Sequence, residues 1–204
     1  MLDSGLRRSD MLQVVRFRAA HAACDGYQSK EFILMKKSAP LVSIVMGSDS
    51  DFTVMKSAMD TLAEFNIPYE VFLTSAHRSP ERTYYFATGL EGRGIKVVIV
   101  GAGAAAHLAG VIASQTALPV IGVPLNATSL NGMDALLSTV QMPGGIPVAT
   151  MAIGTAGAKN AALLAVRVLS LQDRTLRGKL QEYSKNMSKQ VEEKQEKINC
   201  LIPE

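Results

Sequence analysis

Five short apolar runs recur along this chain, and each is followed by a segment of helical periodicity. The runs cover 41–46 (LVSIVM), 69–74, 96–100 (KVVIV), 119–123 and 148–153. Between them, apolar residues return every three or four positions, as Phe52, Met55, Met59 and Leu62 do within 51–65. That spacing predicts helices over 51–65, 80–90, 105–115, 134–140 and 158–170. Pro80 suits the first turn of the second. Runs that are apolar on consecutive residues, rather than on alternate ones, require cover on both faces. A parallel sheet between two helical layers supplies it.

The expected fold class is therefore α/β, a three-layer sandwich with a five-stranded parallel sheet, flavodoxin-like, plus a C-terminal helix. That last helix spans 173–198 and carries a narrow stripe of Leu176, Leu180, Tyr183, Met187 and Val191. Such a stripe can pack on its own domain or on a neighbouring subunit. The domain reading is 38–172 as the catalytic unit, 173–204 as the C-terminal helix at a subunit contact, and 1–37 as an extension. The extension lacks sustained periodicity. It reads as a disordered tail or a mis-set start, with Met35 standing just before the first strand. An Arg-rich targeting peptide is disfavoured by Asp3, Asp10, Asp25 and Glu31.

Charge narrows the class of function. The chain has 21 Lys and Arg against 18 Asp and Glu, a net of +3. Residues 1–37 hold seven basic and four acidic residues, so the remaining body is neutral. Nucleic acid is not an expected partner. No apolar run approaches the roughly 18 residues of a membrane span, which points to a cytoplasmic protein with no membrane partner. Cys24 and Cys200 have no metal-ligand spacing, and no metal is expected.

Three polar strings stand at strand ends, where ligands bind in open parallel sheets. Gly47-Ser48-Asp49-Ser50-Asp51 offers hydroxyls and free N–H groups at a helix start. It can cap the helix, or place Ser48 on a phosphate and Asp51 on a sugar diol. It is not a P-loop, lacking the Gly-Lys-Ser/Thr element. Ser75-Ala76-His77-Arg78-Ser79-Pro80 sets an arginine fork beside an imidazole. Arg78 can grip a phosphate, and His77 can exchange a proton near neutrality. Gly101-Ala102-Gly103-Ala104-Ala105-Ala106-His107-Leu108 carries almost no side chain before His107. It allows close approach of backbone to ligand. His107 reads equally as a helix-start residue or as a catalytic one. The Gly-x-Gly pair lacks the third glycine of a dinucleotide fingerprint, which rules out NAD.

With Gln141-Met142-Pro143-Gly144-Gly145-Ile146-Pro147-Val148, these strings closely resemble the class I PurE family, the N5-carboxyaminoimidazole ribonucleotide mutases. The resemblance spans 42–171. It implies an isomerase of purine (IMP) biosynthesis that uses no cofactor. Its substrate is a small-molecule ribonucleotide whose carboxyl group moves from the exocyclic nitrogen to ring C4. It implies His77 and His107 as catalytic. It implies Ser48, Asp51, Ser75, Arg78, Gly101, Ala102, Gly103 and Leu108 as substrate-binding, and a homo-octamer as the assembly. A CO2-dependent aminoimidazole ribonucleotide carboxylase is the alternative; Arg78 and His107 favour the mutase class. A flavin or nucleotide module would want aromatic faces at the strand ends, where only Phe52 stands near.

Overall fold

The computed structural model describes residues 39–202. The expectations for 1–37, including that for Cys24, fall outside them. Five parallel strands form one sheet in the order β2-β1-β3-β4-β5. These are β1 (Val42–Met46), β2 (Tyr69–Leu73), β3 (Val97–Gly103), β4 (Val120–Leu125) and β5 (Ala149–Thr150). The helices are α1 (Phe52–Glu64), α2 (Pro80–Thr88), α3 (Leu108–Ala113), α4 (Met133–Val140), α5 (Thr155–Ser170) and α6 (Arg174–Asn199).

Alternate strand residues serve opposite faces, so the apolar runs build two cores. Val42, Ile44, Val97, Ile99, Ile121 and Val123 pack with Met55, Met59 and Leu62 of α1 and the alanine-rich face of α5. Val45, Val98, Val100 and Val120 pack on the other side with Phe86 of α2, Leu108 and Ile112 of α3 and Ala135 of α4. Each fully buried Leu or Ile contributes about 1.5–3 kcal/mol. Gly157 permits the start of α5 to close on the sheet, because a Cβ there would fall on the Ala152 carbonyl oxygen.

Several boundaries move for tertiary reasons. β3 continues past Val100 through Gly101, Ala102 and Gly103, which sequence spacing assigns to a loop. Their poor strand propensity is overridden by pairing with β4, Gly101 opposite Val123 and Gly103 opposite Leu125. α3 begins only at Leu108, after Ala104 turns the chain through a left-handed conformation at φ 53°. β5 shrinks to two residues at the sheet edge. The backbone nevertheless keeps bonding to β4, through Met151 N–H to Gly122 O at 2.8 Å and Gly154 N–H to Pro124 O at 2.9 Å. α5 starts three residues before the predicted 158, at Thr155.

α6 is capped by Asp173, whose carboxylate accepts from Thr175 N–H at 2.8 Å and Leu176 N–H at 3.2 Å. Its stripe is only partly covered by its own domain. Leu176, Leu180 and Tyr183 pack on the α1/α5 core, and the Tyr183 ring lies 5.6 Å from that of Phe65. Farther along, Met187, Val191 and Ile198 are exposed.

Candidate active site

The order β2-β1-β3 makes the carboxyl ends of these three strands neighbours, although the loops that leave them are far apart in sequence. The chain reverses its winding direction about β1, and such a switch point opens a crevice beyond the strand ends. Backbone bonds tie the exits together: Thr74 N–H donates to Met46 O at 3.0 Å and Gly47 N–H to Gly101 O at 3.3 Å. Over them lies a cavity of about 460 Å³.

The β1–α1 turn satisfies the capping reading and also faces the cavity. Ser48 N–H donates to Asp51 Oδ2 at 2.9 Å, and the Ser48 hydroxyl accepts from Ser50 N–H at 3.4 Å, closing a capping box. Asp51 is only 7% exposed. Burial pushes its carboxyl above the usual range for aspartate, and the backbone N–H groups of Ser48 and Gly47 pull partly the other way.

The β2–α2 loop carries an imidazole and a guanidinium side by side. His77 Nε2 lies 3.0 Å from His107 Nδ1, with the rings 5.1 Å apart at 80°. A hydrogen bond of this kind needs one nitrogen with a proton and one without, so the two imidazoles share one proton between these atoms. Arg78 Nη2 donates to Gly47 O at 3.3 Å, which braces the guanidinium on the neighbouring loop. Arg78 N–H donates to Ser75 Oγ at 3.2 Å. Across the cavity the β3–α3 segment presents backbone and methyl groups.

Of the residues singled out from sequence, Ser48, Asp51, Ser75, His77, Arg78, Ala102, Gly103 and Leu108 line the cavity. Two stand elsewhere. His107 is outside the lining and is tied to it through its hydrogen bond to His77. Gly101 lies beneath the wall, where a Cβ would run into the Met55 side chain; its smallness serves the packing of α1 on the sheet. Sequence reasoning overlooked Ala127, which follows β4 and lines the cavity where a Cβ on Gly103 would strike it. The signal was present: β4 ends on the same side as the other three strands.

Comparison with known proteins adds a second line of support. The family model described as AIR carboxylase matches residues 41–190. The chain is 57% identical over 166 residues to the N5-carboxyaminoimidazole ribonucleotide mutase of Pyrococcus horikoshii, covering 81% of this chain and 93% of that protein. It is 54% identical over 159 residues to the protein of that name in Bacillus subtilis, covering 78% and 98%. The crystal structure of Treponema denticola PurE is similar with a TM-score of 0.70 and 31% identity, over 78% of this chain and 98% of that one.

Proposed function

This chain belongs to the AIR carboxylase family, and from that premise we propose that it is an N5-carboxyaminoimidazole ribonucleotide mutase, producing 4-carboxy-5-aminoimidazole ribonucleotide. The observation that carries the reading to this site is one cavity in which an imidazole and a guanidinium face a wall nearly free of side chains.

In this mechanism Arg78, Ser75 and Ser48 hold the phosphate, and Asp51 accepts from the ribose hydroxyls. Arg78 contributes charge-assisted bonds, the stronger kind. His77, initially protonated, gives its proton to the exocyclic nitrogen as the N–C bond of the carbamate breaks and CO2 leaves. CO2 stays against Ala102, Gly103 and Ala104, which offer water few polar partners. Ring C4 then attacks CO2, and His77 takes the C4 proton. One proton is lent and recovered, so the reaction needs no net proton uptake. The phosphate grip keeps C4 aligned while the carboxyl group is detached, an orientational advantage worth several kcal/mol. Excluding water protects the intermediate from loss. His107, hydrogen-bonded to His77, orients the ring.

A homo-octamer in the cytoplasm is the assembly proposed. Its support is the family resemblance together with the exposed stripe of Met187, Val191 and Ile198 on α6. Among the described residues, no helix is long and apolar enough to cross a membrane. The solution mass tests the octamer.

The decisive experiment supplies N5-carboxyaminoimidazole ribonucleotide in bicarbonate-free buffer without ATP or added metal. Formation of the 4-carboxy product is expected. Product formed only from aminoimidazole ribonucleotide plus CO2 would overturn the mutase reading in favour of the carboxylase.

A further inference from the structure

Beneath the loop that carries His77 lies a closed set of three hydroxyls, Thr74, Ser79 and Thr83. Thr83 is 0% exposed and Thr74 3%. Ser79 Oγ accepts from Ser75 N–H at 3.1 Å and donates to Ser75 O at 3.1 Å. Thr83 Oγ1 donates to Ser79 O at 3.1 Å. Thr74 Oγ1 and Thr83 Oγ1 are 2.9 Å apart, and Thr74 Oγ1 and Ser79 Oγ are 3.3 Å apart. Three hydroxyl protons serve these four approaches, so one approach is left without a proton; with Ser79 donating to Ser75 O and Thr83 to Ser79 O, the Thr74 proton goes to Thr83 Oγ1 or to Ser79 Oγ.

We infer that Ser79 is a positioning residue for the mutase reaction, clamping the Ser75–Ser79 turn from inside through the Thr74–Thr83 pair so that His77 is held at one height over the cavity. The inference rests on the function proposed above. The clamp acts on both polar groups of Ser75, two residues before His77. The Arg78 guanidinium is braced on backbone, at Gly47 O, whereas the His77 imidazole is braced only on another side chain, His107, so loosening the clamp displaces the imidazole more than the guanidinium. Proton transfer is sensitive to such displacement, since about 1 Å of misplacement can cost about a hundredfold in rate.

Steady-state turnover of N5-carboxyaminoimidazole ribonucleotide, with melting temperature recorded in parallel, tests this. Ser79→Ala is expected to lower kcat about tenfold with KM changed less than about threefold, and Ser79→Thr, which keeps the hydroxyl, to restore kcat. Thr83→Val, close in shape and buried in a folded core, is expected to lower kcat by less than Ser79→Ala, about threefold, because Thr74 can then donate to Ser79 Oγ. A kcat within twofold of wild type in Ser79→Ala overturns the proposal. So does a melting temperature that falls while kcat of the folded protein holds, or a Ser79→Thr variant no better than Ser79→Ala. An inactive wild-type chain would overturn the mutase reading and this proposal with it. An active wild type with an unaffected Ser79→Ala overturns this proposal alone.

Discussion

The two loops that face each other across the cavity achieve order by opposite means. The β2–α2 loop is rich in side chains, and hydroxyl-to-backbone bonds lock it before His77 and Arg78 reach the cavity. The β3–α3 segment has almost no side chains. It is ordered because Gly101, Ala102 and Gly103 are still rungs of the sheet, and because Ala104 takes a left-handed turn immediately after them. One loop supplies the groups that, in the proposed mechanism, move protons and hold charge. The other supplies a shaped, weakly polar wall. Small residues therefore matter on one side for the reason that hydroxyls matter on the other: each fixes the position of a surface.

The largest effect should come from the side-chain loop. His77→Asn is expected to lower kcat by about a thousandfold or more, since it removes the proton carrier, while binding of the product nucleotide persists in calorimetry. Near-normal turnover would remove His77 from the mechanism. On the opposite wall, Gly103→Ala places a methyl group on Ala127 Cβ. The cavity wall must shift, and kcat/KM should fall about a hundredfold. An unaffected kcat/KM would show that the wall yields without consequence, which would break the contrast between the loops.

Arg78→Ala should weaken nucleotide binding about tenfold, the loss of a charge-assisted contact, with a smaller change in kcat than His77→Asn. Equal effects on binding and kcat would merge roles that the separate braces of His77 and Arg78 keep apart. The smallest effect belongs to Ala104→Gly. Ala104 sits at φ 53°, where an L-residue is disfavoured and glycine is not. Chemical denaturation should show a gain of up to about 1 kcal/mol. A loss of stability would mean that the Ala104 methyl group contributes packing that its backbone strain conceals.

How much of this was legible beforehand follows the range of the forces involved. Helix and strand periods, the polar strings at strand ends and the pairing of His77 with Arg78 are local patterns of residue type, and one reading along the chain exposes them. The strings read as polar groups gathered at strand ends, and the resemblance to a known family is what turned that into the expectation of a nucleotide site. The extension of β3 through Gly-Ala-Gly was hidden, because it depends on β4 lying alongside. Gly101 looked like a cavity residue until Met55, on a helix packed beneath the strand, was seen to occupy that space. His107 read equally as a helix-start residue or as a catalytic one, and only the fold shows it hydrogen-bonded to His77, 30 residues away.

The α6 stripe makes the same division within one helix. Its period was plain from Leu176 to Val191, yet where the domain surface ends decides that Tyr183 is covered and Met187 is not. Residue chemistry and short-range spacing thus specified the classes of element and the kinds of group at the site. The strand order 2-1-3 then decided which of those groups meet, because hydrogen-bonded neighbours in a sheet are chosen by long-range pairing and core burial rather than by nearness along the chain.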